Sequence, residues 1–506
     1  MDTSKMTGKA LYSQLKTNRT AYEERARDAA LLTIPQLYPP EGNEGNGNHR
    51  YPTPYQSLGS KGVNNLANKI ILSLFPPNTS FFKLGLNPSD IQRSGHSEGE
   101  IKEAMYNLER SIVNEMEVSA LRPKLVNLLK LLLVGGSGIL YVPKKGSPEV
   151  FKLTDFGVAR DRQGNVLKLV IKECVAYTSL PKKVQEQLDI DDESILEGKK
   201  KLDVYTCIVK ISEEKYELWQ DIEDKRIEGT KGKFNKADLP YLFVPFVDNG
   251  EDYGRSYVED FLGDLQSYEG LRQAILEGAA ESARILYLLK PNSTVSLKKL
   301  KDAKSGDVLL GDVADVGVLQ ADKRLDLAVT QQESDTLRQE LAMTFLLDSA
   351  VQRNAERVTA EEIRRVSQEL EIALGGIYST LAISLQAPLV KLYMNRLISS
   401  GKIAPILKNA VDLEITTGSA ALGRGNDYNI LTTFLQTLNG TVGQQVVASY
   451  VNIPELLRRF AYSLDINTAS LIKDEKQIQA EQQAAQQAQM AETVAPTVAK
   501  AAMEQE

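Results

Sequence analysis

The feature that most constrains this chain is the join at Leu347 to Arg364, LDSAVQRNAERVTAEEIR, where a loop carrying charge but no catalytic group runs into the start of a helix. Thr359 and Glu362 form an S/T-x-x-E capping box, in which the threonine side chain accepts from a first-turn N–H and the glutamate reaches back to the cap. Behind it, Ile363, Val366, Leu370, Leu374, Ile377, Leu381 and Leu385 recur at spacings of three and four, one apolar face of an α-helix. The spacing predicts a long helix starting at Thr359, with the loop ending there. A charged loop on such a rigid base suits projection into a channel. Pro388 is expected to kink or end the helix, because proline lacks an N–H and crowds the preceding turn.

Upstream, the period of the apolar residues changes twice. Leu11 to Leu37 reads as a helix of mixed charge ended by the Pro35, Pro39 and Pro40 region, and Glu41 to His49 as a Gly/Asn loop. Helical stretches follow at Gln56 to Leu74, stopped by Pro76 and Pro77, then at Glu98 to Val118 and Pro123 to Val134. Past Gly138 the runs ILYVP, EVFKL, VLKLVIKE, DVYTCIVKI and KYELWQDI are β-rich and separated by turn residues. After Asp252 to Gly254, Phe261, Leu265, Tyr268 and Ile275 begin a helical face expected to reach about Leu289, before Pro291. VLLGD and VGVLQ are strand candidates between Asn292 and Leu327, and Leu337, Leu341 and Phe345 mark a return helix. Two helices enclosing a small strand-bearing module make a hairpin whose tip projects from the body. LEITTG (Leu413 to Gly418) reads as a strand, and helices from about Tyr428 to Leu464 lead into a Gln/Ala/Glu-rich tail with helix propensity but little to bury. The fold class is α+β, predominantly helical.

At 506 residues the chain exceeds one compact core, and roughly three domains fit that length. Its 42% apolar and 25% charged content is that of a soluble globular protein. No run of about 18 apolar residues is available to span a bilayer, and LVNLLKLLLV (Leu125 to Val134) reads as a buried helix, so no membrane partner is expected. The opening MDTSKMTGKALYSQLK has no apolar h-region, which leaves secretion unsupported. Cys174, Cys207, His49 and His96 cannot furnish a closed zinc site of the usual kind, and two thiols fit a reducing cytoplasm. The net charge of −7 opposes a broad DNA-coating surface, which needs Lys and Arg against phosphates.

Motifs that suggest chemistry lack their partners. Asp155, Phe156 and Gly157 spell the DFG of protein kinases and GNEGNG (Gly42 to Gly47) resembles a phosphate loop, but no HRD-x-x-x-x-N exists, and ARDRQGNVLKLV reads better as a β-hairpin turned by Asp161 to Asn165. There is no GxxxxGK[ST], so any ATP-driven step needs another protein as motor. DIDDE (Asp189 to Glu193) lacks the later Gly and Glu of a calcium loop, and GxSxG is absent. Neither an enzyme, a cofactor nor a metal is expected. Lys298, Lys299, Lys301 and Lys304 are the densest basic cluster of the hairpin tip, open to reading as a solvated face at a protein contact or as a phosphate contact.

LDSAVQRNAERVTAEEIR resembles the tunnel-loop region of the portals, or head-to-tail connectors, of short-tailed, autographivirus-type phages. The resemblance continues at YPTPYQSLGSKGVNNLANKIILSLFP (Tyr51 to Pro76), YGRSYVEDFLGDL (Tyr253 to Leu265), LGGIYS (Leu374 to Ser379) and TTGSAALGRGND (Thr416 to Asp427), in the family's order over nearly the whole chain. The resemblance implies a portal fold: wing 1–253, stem helix 254–289, clip 290–327, stem helix 328–347, tunnel loop 348–358, wing again 359–425, crown 426–473 and a tail 474–506. It implies a homo-oligomeric ring, a dodecamer, in the virion at one capsid vertex, assembled in the bacterial cytoplasm. Double-stranded DNA would be packaged and ejected through it, with terminase docking first and the tail adaptor afterwards. Major capsid, scaffolding and internal core proteins would be further partners, and the ring would nucleate capsid assembly. The resemblance puts Gln352, Arg353, Asn354 and Arg357 at the channel constriction; Arg353 and Arg357 are equally open to pairing with Glu356, Glu361 or a neighbouring subunit. A phage DNA-binding structural protein without a channel role is the alternative.

Overall fold

The computed structural model describes residues 6–40, 51–76, 80–86, 98–188, 195, 201–282, 286–319, 324–347, 360–403, 411–415, 423–442, 456–457 and 460. Helix α1 (Gly8–Leu32) starts at Thr7, whose Oγ1 accepts from the Ala10 amide. Gln56 ties its end to the start of α2 (Leu58–Leu74): Nε2 donates to the Leu32 carbonyl at 2.7 Å while Oε1 accepts from the Gly59 amide at 2.8 Å. Strand β1 (Phe82–Leu86), α3 (Glu98–Val118) and α4 (Leu121–Gly135) follow. As expected, LVNLLKLLLV is interior: Leu125, Leu128, Leu129, Leu132, Leu133 and Val134 of α4 are buried on several sides.

The β-rich runs become β2 (Ser137–Tyr141), β3 (Glu149–Lys152), β4 (Phe156–Arg160), β5 (Val166–Ala176), then a short α5 (Lys182–Leu188), β6 (Lys201–Lys210), β7 (Lys215–Ile222), β8 (Lys225–Arg226), β9 (Gly232–Asn235) and β10 (Tyr241–Pro245). β10, β2 and β3 form one antiparallel sheet in that order; β4 to β8 form a second, with β9 on β7. The period of two sorts the faces of the larger sheet. Val170, Cys207 and Trp219 meet Leu11, Tyr12 and Leu15 of α1, whereas Leu169, Ile171 and Ile208 face the main core. The DFG triplet opens β4, and Asp155 caps its own turn, accepting from the Lys152 amide and the Thr154 hydroxyl. Asp161 then accepts from the Gln163 and Asn165 amides, making the hairpin turn that the sequence predicts.

The helical hairpin comprises α6 (Leu262–Ser282), β11 (Leu286–Leu289), α7 (Leu297–Asp302), β12 (Val316–Leu319) and α8 (Arg324–Thr344). The helix does not reach Leu289: it ends at Ser282, and LYLL is a strand paired antiparallel with VGVL. An unbroken apolar run of four suits a strand better than a helical face. VLLGD is not a strand, and its Val308 and Leu310 side chains are each 96% exposed, with no described strand beside them.

Helix α9 (Ala360–Leu374) starts one residue after Thr359, which itself lies outside the described residues. It is not continuous to Leu385. Gly375 takes φ 48° and closes it, donating to the Glu371 carbonyl at 2.9 Å. The chain re-enters a helix at α10 (Gly376–Leu381), so the apolar spacing survives the break. A π-turn, Ala382–Gln386, then leads into α11 (Ala387–Ser399), and Pro388 sits in the first turn of α11. The chain therefore stays helical through Pro388, because the widened turn before it relieves the missing N–H and the ring clash. β13 (Val411–Ile415) pairs with β1, Phe82 opposite Ile415, and α12 (Gly423–Val442) is the last described helix. One core runs from α1, α2, α3 and α4 through Tyr257, Leu265, Leu341 and Phe345 to Val366, Leu370, Leu381 and Tyr393.

Candidate functional site

The end of α8 is where the hairpin, α2 and α9 converge. Phe345 still donates to Leu341, but Leu346 swings to φ 53° and Leu347 donates to Ala342 at 2.8 Å. A left-handed leucine costs roughly 1–2 kcal/mol, and a helix end leaves its last carbonyls without helical donors. α2 supplies those donors. Gly62, Asn65 and Lys69 stand at i, i+3 and i+7, so they share one face. Asn65 Nδ2 donates to the Phe345 carbonyl at 3.1 Å and to the Leu346 carbonyl at 2.8 Å, and Lys69 Nζ donates to the same Leu346 carbonyl at 2.8 Å. Gly62 leaves room for the Phe345 ring, while the Tyr257 hydroxyl donates to Thr344 at 3.0 Å.

Lys69 also reaches the other leg. Its Nζ lies 3.4 Å from Glu369 Oε2 of α9, with the lysine side chain 6% exposed and the glutamate 30%. Burial pulls the ammonium below the ordinary lysine range, and Glu369 opposes that pull. One buried cation thus spans the end of the hairpin helix and the helix that begins beyond residue 359. No reading of the sequence singled out Asn65 or Lys69, although polar residues on the buried side of an apolar helix were a visible signal.

Gln352, Arg353, Asn354 and Arg357 lie outside the described residues. Lys298, Lys299 and Lys301 fall on α7 and Lys304 just past it, all exposed and none in an ion pair among the described residues. The module is pinned at its base instead. Thr294 donates to Asp315 through its amide and hydroxyl, at 3.1 and 3.2 Å, and Lys290 lies 3.7 Å from it. The Thr294 bonds hold the Asp315 carboxyl below its usual range. Around the lysines, Leu297, Val308, Leu310 and Val313 are 71%, 96%, 96% and 89% exposed, an apolar tip that one chain leaves open.

A second polar cluster braces the body. Glu115 near the end of α3 accepts from Arg396 Nε at 3.0 Å and Lys402 Nζ at 2.9 Å, and Arg396 also donates to the Gly146 carbonyl at 2.8 Å. The Lys402 bond foremost holds the Glu115 carboxyl below the ordinary glutamate range. Among the described residues no group of three or more His, Cys, Asp or Glu is arranged to hold a metal, and no helix is long and apolar enough to cross a membrane.

The comparisons supply the class. Residues 6–472 match the model of the bacteriophage head to tail connecting proteins. The portal protein of Enterobacteria phage T3 is 37% identical over 500 residues, 95% of this chain and 92% of its own length. That of Escherichia phage T7 is 35% identical over 485 residues, 93% and 89% of the two chains, and that of Enterobacteria phage SP6 is 27% identical over 438 residues, 85% and 82%. The chain belongs to the head-to-tail connecting proteins of phages and works as a portal. Its α+β, predominantly helical architecture is the portal fold, and its role is structural.

Proposed function

We propose that copies of this chain close into a dodecameric ring at one capsid vertex, with double-stranded DNA passing along its axis during packaging and ejection. The observation that carries the ring is unsatisfied apolar surface on the hairpin. The apolar residues that mark the two hairpin helices do not supply it: Leu265, Leu341 and Phe345 are buried within a single chain, and Phe261 and Leu337 pack against the same core. Leu276 on α6, Val329 and Met343 on α8, and Leu297, Val308, Leu310 and Val313 at the tip remain exposed instead. Val329 and Met343 are 14 residues apart, close to four helical turns, and so recur on nearly one side of α8. Neighbouring hairpins side by side would cover these positions.

The clip, 290–327, is the surface for terminase and then the tail adaptor. Lys298, Lys299, Lys301 and Lys304, exposed and without an ion pair among the described residues, stand beside an apolar tip, a combination suited to a protein partner more than to DNA alone. The wing, 1–253 and 359–425, and the crown, 426–473, face capsid, scaffolding and internal core proteins, and assembly in the host cytoplasm nucleates the capsid. Gln352, Arg353, Asn354 and Arg357 on the 348–358 loop guide the duplex. With −7 per subunit, such a charge excess, where it faces the lumen, repels phosphate and keeps DNA off the walls. The chain itself carries out no covalent step, holds no cofactor and contacts no membrane. A negative-stain micrograph of the purified chain tests the proposal: rings with a central hole are expected, and a monomer by light scattering at micromolar concentration overturns it.

A further inference from the structure

We propose that Lys69 is a positioning residue that locks the end of the stem helix to the wing, with Leu346 as the hinge about which the stem would otherwise turn. The inference rests on the portal reading for its consequence, but its geometry is independent of any ring. Three observations carry it. Leu346 holds a left-handed backbone that a leucine rarely adopts, and such conformations persist only where the surroundings over-determine them. α2 contributes to that over-determination through two donors on the Leu346 carbonyl. Only one of those donors is charged, and it alone also reaches α9, at Glu369.

Asn65 and Lys69 are therefore not equivalent. Asn65 holds α8 to α2 and, among the described residues, makes no hydrogen bond to α9. Lys69 makes the position of Leu346 depend on that of Glu369, because both hold the same buried ammonium and each offsets part of its desolvation. Removing the charge leaves the fold of each helix intact, since Gly62, Phe345, Val366 and Leu370 still pack. What it removes is the correlation between the two legs. A stem that transmits axial load from DNA to the capsid needs that correlation.

The test uses the full chain in rings. Cys174 is replaced by serine, spin labels are placed through Gln339→Cys on α8 and Glu371→Cys on α9, both exposed, and labelled subunits are diluted with unlabelled ones. Pulsed electron resonance then reads the distance between the two legs within one subunit. A single narrow distribution is expected for the wild-type Lys69 background, a broadened or split one for Lys69→Met, and recovery of the narrow one for Lys69→Arg. An unchanged distribution in Lys69→Met overturns the proposal, whatever happens to the melting temperature. Should Lys69→Met fail to assemble, Glu369→Gln removes the wing-side partner alone and carries the same expectation and the same overturning result. Genome retention in particles is measured separately: loss alongside a broadened distribution supports the joint and its role at the channel, whereas normal retention alongside a broadened distribution keeps the joint and removes the channel consequence.

Discussion

Gly62 lies so close to Phe345 that a β-carbon at position 62 would fall 2.5 Å from the ring Cγ. Phe345 is fully buried between α2, Tyr257 and the end of α8, so its ring has nowhere to go. Replacing a helical glycine by alanine ordinarily gains about 0.5–1 kcal/mol from helix propensity. Here the overpacking term, about 1–3 kcal/mol, is larger and of opposite sign. Gly62→Ala is therefore expected to lower the urea midpoint of the chain, and adding Phe345→Leu to recover part of the loss. A Gly62→Ala chain as stable as wild type would show that the ring is not fixed by its neighbours.

The pattern of strands and helices was largely readable because each element carries its own period: two in β5 to β7, three and four in α9. What escaped the sequence was non-local. The break at Gly375 was signalled by the Gly-Gly pair, but the apolar spacing bridges it, so periodicity alone reports a single helix. Leu341 and Phe345 look like exposed hairpin positions until α2 and Tyr257 are brought against them from distant parts of the chain. The role of Lys69 escaped for the same reason: its partners, Leu346 and Glu369, lie 277 and 300 residues away in sequence. By contrast the density of lysines at 298–304 is a property of the sequence alone and needs no partner to be seen.

Glu115 gives the fold a pH dependence with a definite sign. Lys402 and Arg396 hold its folded carboxyl below the ordinary value of about 4.3, so the stabilisation is fully present above that pH and is lost as pH falls through the folded value. Glu115→Gln should cost about 2 kcal/mol at neutral pH, the range for a charge-assisted hydrogen bond. Urea unfolding of both chains as pH is lowered checks it: the gap is expected to shrink below about pH 4. A gap that is constant with pH would assign the loss to shape and not to charge.

The two thiols should differ in chemistry. Cys174 sits opposite Asp203 and Cys207 opposite Val170 along the β5–β6 ladder, so they are separated along the sheet and both are free. Burial pushes the Cys207 thiol far up, and burial with the Asp203 hydrogen bond raises that of Cys174, which remains exposed. Since the thiolate is the reactive form, iodoacetamide should alkylate Cys174 alone, slowly at neutral pH and faster above about pH 9, and reach Cys207 only in denaturant. Mass spectrometry of the native chain showing two equivalents at neutral pH would contradict the packing of α1 on β6.

The loop at 348–358 offers the most direct test of how the channel handles DNA. Arg353 and Arg357 are the cations of that loop, and the proposed role is to touch the duplex as it passes, while the rival role is to pair with Glu356, Glu361 or a neighbouring subunit. The two roles separate cleanly in the double variant Arg353→Ala, Arg357→Ala. If the arginines guide DNA, rings should form normally, because the apolar contacts of the hairpin lie elsewhere, and the change should appear in packaged genome length and in retention after filling. If they are ties between subunits, ring formation itself should fail, and micrographs of the purified variant would show it before any DNA is offered. Normal rings with normal filling and retention would remove the loop from the mechanism.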